Sequence, residues 1–266
     1  MRKLYLTLLA LICLALFWQG RVYWISRLVV PTYWKIETRD FVTLADSDYS
    51  IRIDPAMADS VGVEVAEAMQ QYEQLEVYFG QPLPSPLVIV METEALNAYI
   101  GGGYSLNSAG AYQSGVVLLG FREGRESLGR TLLHELGHHY VHDLARGNYP
   151  TWFSEGVAQL LEEMFWGSVW FDGRMRNDYY KYSISELSGD FHSLPDQISA
   201  YQMALELVKS IETTGGGQAT QAMLRDLGRG MTFSQVLMAH TGMDLETLYT
   251  IAFGPQQREV GVDKHG

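Results

Sequence analysis

SLGRTLLHELGHHYVHDLARGNYPTWFSEGVAQLLEEMFW, residues 127–166, decides how the rest of the chain is read. Leu133, Leu136, Tyr140 and Leu144 recur at the three- and four-residue steps of one helix face. His134, Glu135, His138, His142 and Thr131 fall on a different arc, so one helix has an apolar side for a core and a polar side for a site. His134-Glu135-Leu136-Gly137-His138 is an H-E-x-x-H motif. Four residues advance a helix by a little over one turn, so the two imidazoles share a face and can converge on one ion. Glu135 lies beside them, placed to take a proton from an attacking water. Neutral imidazole is a good zinc ligand, and zinc lowers the pKa of water to about 7. Gly137 costs about 1 kcal/mol of helix propensity, which points to the close approach of another element.

Two histidines and a water leave zinc one protein ligand short. Pro150-Thr151-Trp152-Phe153-Ser154-Glu155-Gly156 supplies it. Thr151 is placed to cap a second helix, and Glu155 sits in that helix's first turns, with Ala158, Leu161 and Phe165 on its core face. Sixteen residues lie between His138 and Glu155, enough for the first helix to end, turn and return. The spacing therefore predicts His134, His138 and Glu155 as metal ligands and Glu135 as general base. The other histidines have less local support. His139 faces away from the ligand arc and reads as a packed or surface residue. His142 lies on the correct face but one turn too far, suited to supporting a ligand or lining a cleft. His192 and His240 show no local sign of ligation.

HELGHH followed by PTWFSEGVAQLLE resembles the gluzincin zinc metallopeptidases, in particular the peptidase MA-like domains related to thermolysin. The similarity spans about residues 49–252. The resemblance implies zinc held by His134, His138 and Glu155, with Glu135 as the base. It also implies a Tyr on a later helix that steadies the oxyanion. Tyr201, in Ala200-Tyr201-Gln202, is the matching residue, with Tyr179, Tyr180 and Tyr182 as weaker competitors. An O–H donated to developing negative charge is the physical reason such a residue helps. Two departures stand out. Gly110 to Gly115 (GAYQSG) has no acid where related aminopeptidases grip a free amine, which argues for an endopeptidase. Four residues after Glu155, where relatives often carry an acid, this chain has Gln159.

Working outward, the chain has 266 residues, 47% hydrophobic and 19% charged, which fits a folded globular protein. Its formal net charge is -12 with no Lys/Arg run, so no nucleic-acid partner is expected. Cys13 is the only cysteine, which rules out an intrachain disulfide and a cysteine metal site. Arg2 and Lys3 precede an uncharged apolar stretch from Leu4 to Gly20 with no small-residue cleavage site after it, the pattern of an uncleaved signal anchor. Residues 1–30 are thus expected as a membrane segment with the remainder outside the cytoplasm. Residues 31–48 follow as a juxtamembrane connector, and Tyr23, Trp24, Tyr33 and Trp34 suit a membrane interface.

Tyr49 to Asp54 alternates like a strand, and Leu87 to Met91 and Val116 to Phe121 read as further strands. Asp59 to Phe79 reads as one helix closed by Gly80, and 101–110 as a loop. From Ser127 the pattern is helical, over about 127–145, 151–166, 196–212, 217–228, 232–240 and 244–252. The expected fold is α+β: a small antiparallel or mixed sheet on a mainly helical C-terminal part, preceded by a membrane helix. The domain runs over 49–255, with 256–266 a polar tail. The expected activity is hydrolysis of a peptide or protein substrate by water, with zinc as cofactor. The strand Val116 to Phe121 would serve as the edge that takes up the substrate chain. A membrane-tethered zinc-containing binding or scaffolding domain is the alternative. It is disfavoured because nothing structural requires a carboxylate at Glu135.

Overall fold

Ile51 and Ile53 are fully buried while Arg52 between them points outward, the period of two that makes a strand. The computed structural model describes residues 21–44, 49–100, 109–122, 127–174 and 181–254. Its five strands are β1 (Val42–Thr43), β2 (Ile51–Ile53), β3 (Leu87–Glu92), β4 (Gly110–Gln113) and β5 (Val116–Phe121), in the order β1-β2-β3-β5-β4. β2, β3 and β5 are parallel neighbours, and β1 and β4 pair antiparallel at the two edges. The mixed sheet matches the expected α+β class. Val116–Phe121 is not an edge, however. It is buried between β3 and β4, and Gly110–Gln113 takes the edge instead.

The sheet is covered on both faces. Val88, Val90, Val117 and Leu119 pack into the core beneath the helices. Leu87, Ile89, Met91, Val116 and Leu118 pack on the other side with Trp34 and Leu96. Burial on two faces explains the unbroken apolar runs LVIVM and VVLLGF. Ser114 (φ 43) and Gly115 (φ 95) make the two-residue turn between β4 and β5, the left-handed geometry that hairpins favour.

Residues 21–37, expected as the end of an anchor and the start of a connector, form a helix, α1 (Arg21–Glu37), docked on the domain. Tyr23 and Trp34 are buried there, while Trp24 and Tyr33 are exposed. Among the described residues no helix is long and apolar enough to cross a membrane. The apolar run within residues 1–20, most of the 101–110 loop, Tyr179, Tyr180 and the tail 256–266 lie outside the described residues.

The expected helix 59–79 is divided at Gln70 into α2 (Ala58–Met69) and α3 (Gln71–Phe79), and Gly80 closes it in the left-handed conformation at φ 71. Residues 93–100, which carry no strong pattern, form α4 (Thr93–Ile100). Then come α5 (Leu128–Ala145) and α6 (Thr151–Leu161), which runs on into a π-helical turn, Glu162–Trp166. A short α7 (Ile184–Leu187) precedes α8 (Gln197–Gly215), α9 (Ala219–Gly228), α10 (Phe233–Thr241) and α11 (Leu245–Phe253). α5, α6 and α8 pack as the central helical layer. A Cβ on Gly137 would lie 2.9 Å from Leu161 Cδ1 and 3.1 Å from Ala158 Cα, so this glycine lets α6 approach α5 closely. Gly156 does the same for α8, where a Cβ would overlap the Ala204 carbonyl.

Candidate metal centre

α5 enters the core with Leu132, Leu133, Leu136, Tyr140, Val141 and Leu144 buried. Its N-terminus is capped from α2, where the Glu64 carboxylate accepts from the Leu128 N–H at 3.0 Å. The opposite arc carries His134, Glu135 and His138 to the wall of a cleft of about 1110 Å³. α6 begins with Pro150 at its cap position; Thr151 is its first helical residue and makes no side-chain cap, contrary to expectation. One turn on, Glu155 points back at α5.

His134 Nε2 and His138 Nε2 lie 3.0 Å apart, and Glu155 Oε2 is 3.4 Å from each. His134, His138 and Glu155 form a group able to hold a metal ion. The hydrogen bonds behind the rings sharpen this. His134 Nδ1 lies 2.6 Å from Glu162 Oε1 and donates to it. His138 Nδ1 donates to Ser154 Oγ at 2.8 Å. With both Nδ1 atoms turned to these partners, the two Nε2 atoms face each other and Glu155. Glu155 Oε2 is buried and lacks a hydrogen-bond partner. Two ring nitrogens and an orphaned carboxylate oxygen converging this closely call for positive charge between them, a proton or a metal cation.

The electrostatics agree. Burial pushes the Glu155 carboxyl up, but His138 and His134 outweigh it and hold the group well below the usual carboxylate range. Burial pulls His134 down, but the carboxylates of Glu155 and Glu162 beside it overcome this, leaving the ring well above its ordinary value. The three carboxylates thus favour positive charge at the centre. Glu135 is buried on the same wall; loss of solvation raises its pKa, and the two histidines pull back against that. A raised carboxyl pKa suits a group that must both take and give a proton.

Tyr201 comes from α8 into the cleft, near the Glu155 and Glu135 carboxylates. Burial and the Glu155 and Glu135 charges hold its pKa well above the ordinary phenol value, so it stays a donor. Its competitor Tyr182 is buried, its oxygen accepting from the Asp196 N–H, so it serves the core. His139 is packed as expected, donating to the Pro84 carbonyl at 3.0 Å. His142 does not line the cleft; its Nδ1 pairs with the Tyr149 hydroxyl at 3.2 Å. His240 pairs with Asp226.

Two residues escaped the sequence reading, and a third, His192, was set aside by it for want of local support. Glu162 and Ser154 orient the two ligand rings, and His192 Nε2 lies 3.5 Å from Glu155 Oε1 at the cleft wall. Gln159, where relatives often carry an acid, brings Nε2 within 3.3 Å of His134 Nδ1, but the carboxylate at that nitrogen is Glu162. Glu162 is itself fixed by the Trp170 N–H at 2.9 Å and faces Arg130. Glu155 and Glu162 are seven residues apart, two turns on one face, and that period was the available signal. No family model and no curated protein matches the chain.

Proposed function

We infer that the chain is a membrane-anchored zinc endopeptidase, with the apolar stretch Leu4 to Gly20 ahead of α1 as anchor and the domain outside the cytoplasm. The observation that carries the reading is the triangle of His134, His138 and Glu155 with Glu135 beside it on the wall of an open cleft. Zinc is the ion that fits best. Bonds of about 2.0–2.1 Å in a tetrahedron set ligand atoms about 3.3 Å apart, and a two-His, one-Glu set that leaves a fourth position free is a catalytic pattern. The ligand atoms here are 3.0, 3.4 and 3.4 Å apart.

Bound zinc would supply a more acidic water and a polarised carbonyl. The chain's own residues do the rest. Glu135 takes the proton of the attacking water and delivers it to the leaving amine nitrogen as the C–N bond breaks. Tyr201 directs its O–H toward the oxygen on which negative charge develops. Glu162 and Ser154 keep both imidazoles in the tautomer whose Nε2 faces the centre. The edge strand Gly110–Gln113 lines the cleft, and its outer edge can pair with an extended substrate chain.

The test is a peptide-library digest read by mass spectrometry with and without a chelator, for wild type and Glu135→Gln. Glu135→Gln should keep its zinc and lose hydrolysis by about 10²-fold or more. Undiminished cleavage by that variant would defeat the mechanism. Zinc without cleavage by the wild type would leave the binding-domain reading.

A further inference from the structure

Six of the fourteen exposed large hydrophobic residues among those described lie on the 17-residue helix α1. Trp24, Ile25, Leu28, Val29, Tyr33 and Ile36 form its outer arc, and Leu28 is 72% exposed. The inner arc is taken up by the domain: Tyr23 and Trp34 are buried against it, and Trp34 Nε1 donates to Gln113 Oε1 at 3.2 Å. With that side occupied, an outer arc carrying six large exposed apolar residues marks an interaction surface rather than a face for water. The polar groups beside the outer arc leave it open to lipid. The Thr32 hydroxyl on the outer arc donates to the Leu28 carbonyl at 2.7 Å, so it needs no water. Arg27 turns inward to Asp143 at 2.7 Å. Lys35 stands at the C-terminal end of the arc, where an ammonium can reach lipid phosphate.

The helix also begins where a long apolar stretch, Leu4 to Gly20, ends in the sequence. That continuity selects the occupant of the outer face. We propose that the outer arc of α1 lies in the interface of a phospholipid bilayer and seats the domain on the membrane, with the Trp34–Tyr99 end of the cleft at the lipid surface. Trp24 and Tyr33 then take the depth that aromatic side chains favour. Trp34 and Tyr99 line that end of the cleft, with ring centroids 5.0 Å apart, and Tyr99 is itself exposed. A chain threaded through the cleft leaves it along the bilayer. On the peptidase reading, the substrates are therefore segments of chain lying next to a membrane.

The test uses the full chain in phosphatidylcholine–phosphatidylglycerol vesicles. Cys13, the only cysteine, is replaced (Cys13→Ser), and an environment-sensitive fluorophore is attached at Leu28→Cys, Tyr99→Cys or Val77→Cys. Val77, on α3, is 82% exposed and serves as the water-facing control. Lipids spin-labelled near the headgroup should remove most of the emission at positions 28 and 99 and none at 77. Flotation of the chain with the vesicles reads the anchor separately. Flotation without quenching at 28 overturns the docking and leaves the anchor standing; failure to float overturns both. An inter-copy disulfide at position 28 in the unlabelled variant assigns the face to a second copy and also overturns the proposal. Quenching at 28 but not at 99 overturns the placement of the cleft.

Discussion

His134 Nδ1 lies 2.6 Å from Glu162 Oε1, and Glu162 is held in turn by the Trp170 N–H. A carboxylate behind a ligating imidazole fixes the tautomer and makes the ring a stronger donor to a metal. Regular helix delivers it: Glu162 stands two turns after Glu155 on the same face, just where α6 passes into the π-helical turn Glu162–Trp166. Glu162→Gln should therefore weaken zinc binding by about 10- to 100-fold, read by competition with a chromogenic chelator. The melting curve of the metal-free protein should change little by comparison. Unchanged affinity would mean that the Gln159 amide suffices.

Gly110 sets how close the edge strand stands to Glu135. A Cβ there would lie 2.7 Å from Thr131 Cγ2 and 2.8 Å from Glu135 Oε1. Gly110→Ala must push the strand out or turn the Glu135 carboxylate away. Displacements of about 1 Å in a reacting group can cost about 10²-fold in rate. The expected result is a large fall in kcat with zinc content unchanged, measured on the same peptide as the wild type.

The two histidines were legible because an i, i+4 pair on an amphipathic helix needs no tertiary information. Glu155 was legible because a second helix starts where the chain must return. Glu162 was missed, because its seven-residue step from Glu155 marks a shared face but does not say which side chain that face meets. His192 was hidden for another reason: it reaches Glu155 across 37 residues of chain. Strand order was also beyond the pattern, although the runs of Leu87–Met91 and Val116–Phe121 held a clue. Unbroken apolar strands are buried on both faces and sit inside a sheet, so the edge had to be the less apolar Gly110–Gln113. The docking of α1 rests on single contacts such as Trp34 with Gln113, invisible to any local window.

Acid should destabilise the fold before the carboxylates titrate. Burial, aided by the Arg27 charge, lowers the pKa of His139 to about 3 and that of His142 to about 4. In the unfolded chain both return to about 6.5. Below that value the unfolded state binds more protons, so stability is fully present above pH 6.5 and is lost as pH falls toward the folded pKa values. The slope is at most about 1.4 kcal/mol per pH unit for each histidine. Denaturant melts of the metal-free protein between pH 7 and 5 should show the midpoint falling. The slope should be shallower in His142→Gln. A flat midpoint over that range would mean both rings take up protons while folded.

Arg27 and Asp143 join α1 to the metal helix at 2.7 Å, with the two side chains 16% and 5% exposed. Burial raises the pKa of Asp143 and the Arg27 charge opposes the rise, so the pair holds a carboxylate ionised where it would otherwise be costly. Arg27→Ala leaves that charge without its partner, an event worth about 3–5 kcal/mol in other buried pairs. Replacing both residues with apolar side chains of similar size, Arg27→Met with Asp143→Leu, removes the charge as well and should recover much of the loss. Chemical denaturation of the single and double variants reads this directly. The single variant should also be less impaired at low pH, where Asp143 takes up a proton and no longer needs a cation. If Arg27→Ala cost nothing at neutral pH, α1 would not be gripping the metal helix through this pair. The attachment would then rest chiefly on the buried Tyr23 and Trp34, with Arg52 donating to the Lys35 carbonyl, and Trp34→Ala would be the variant that loosens the helix.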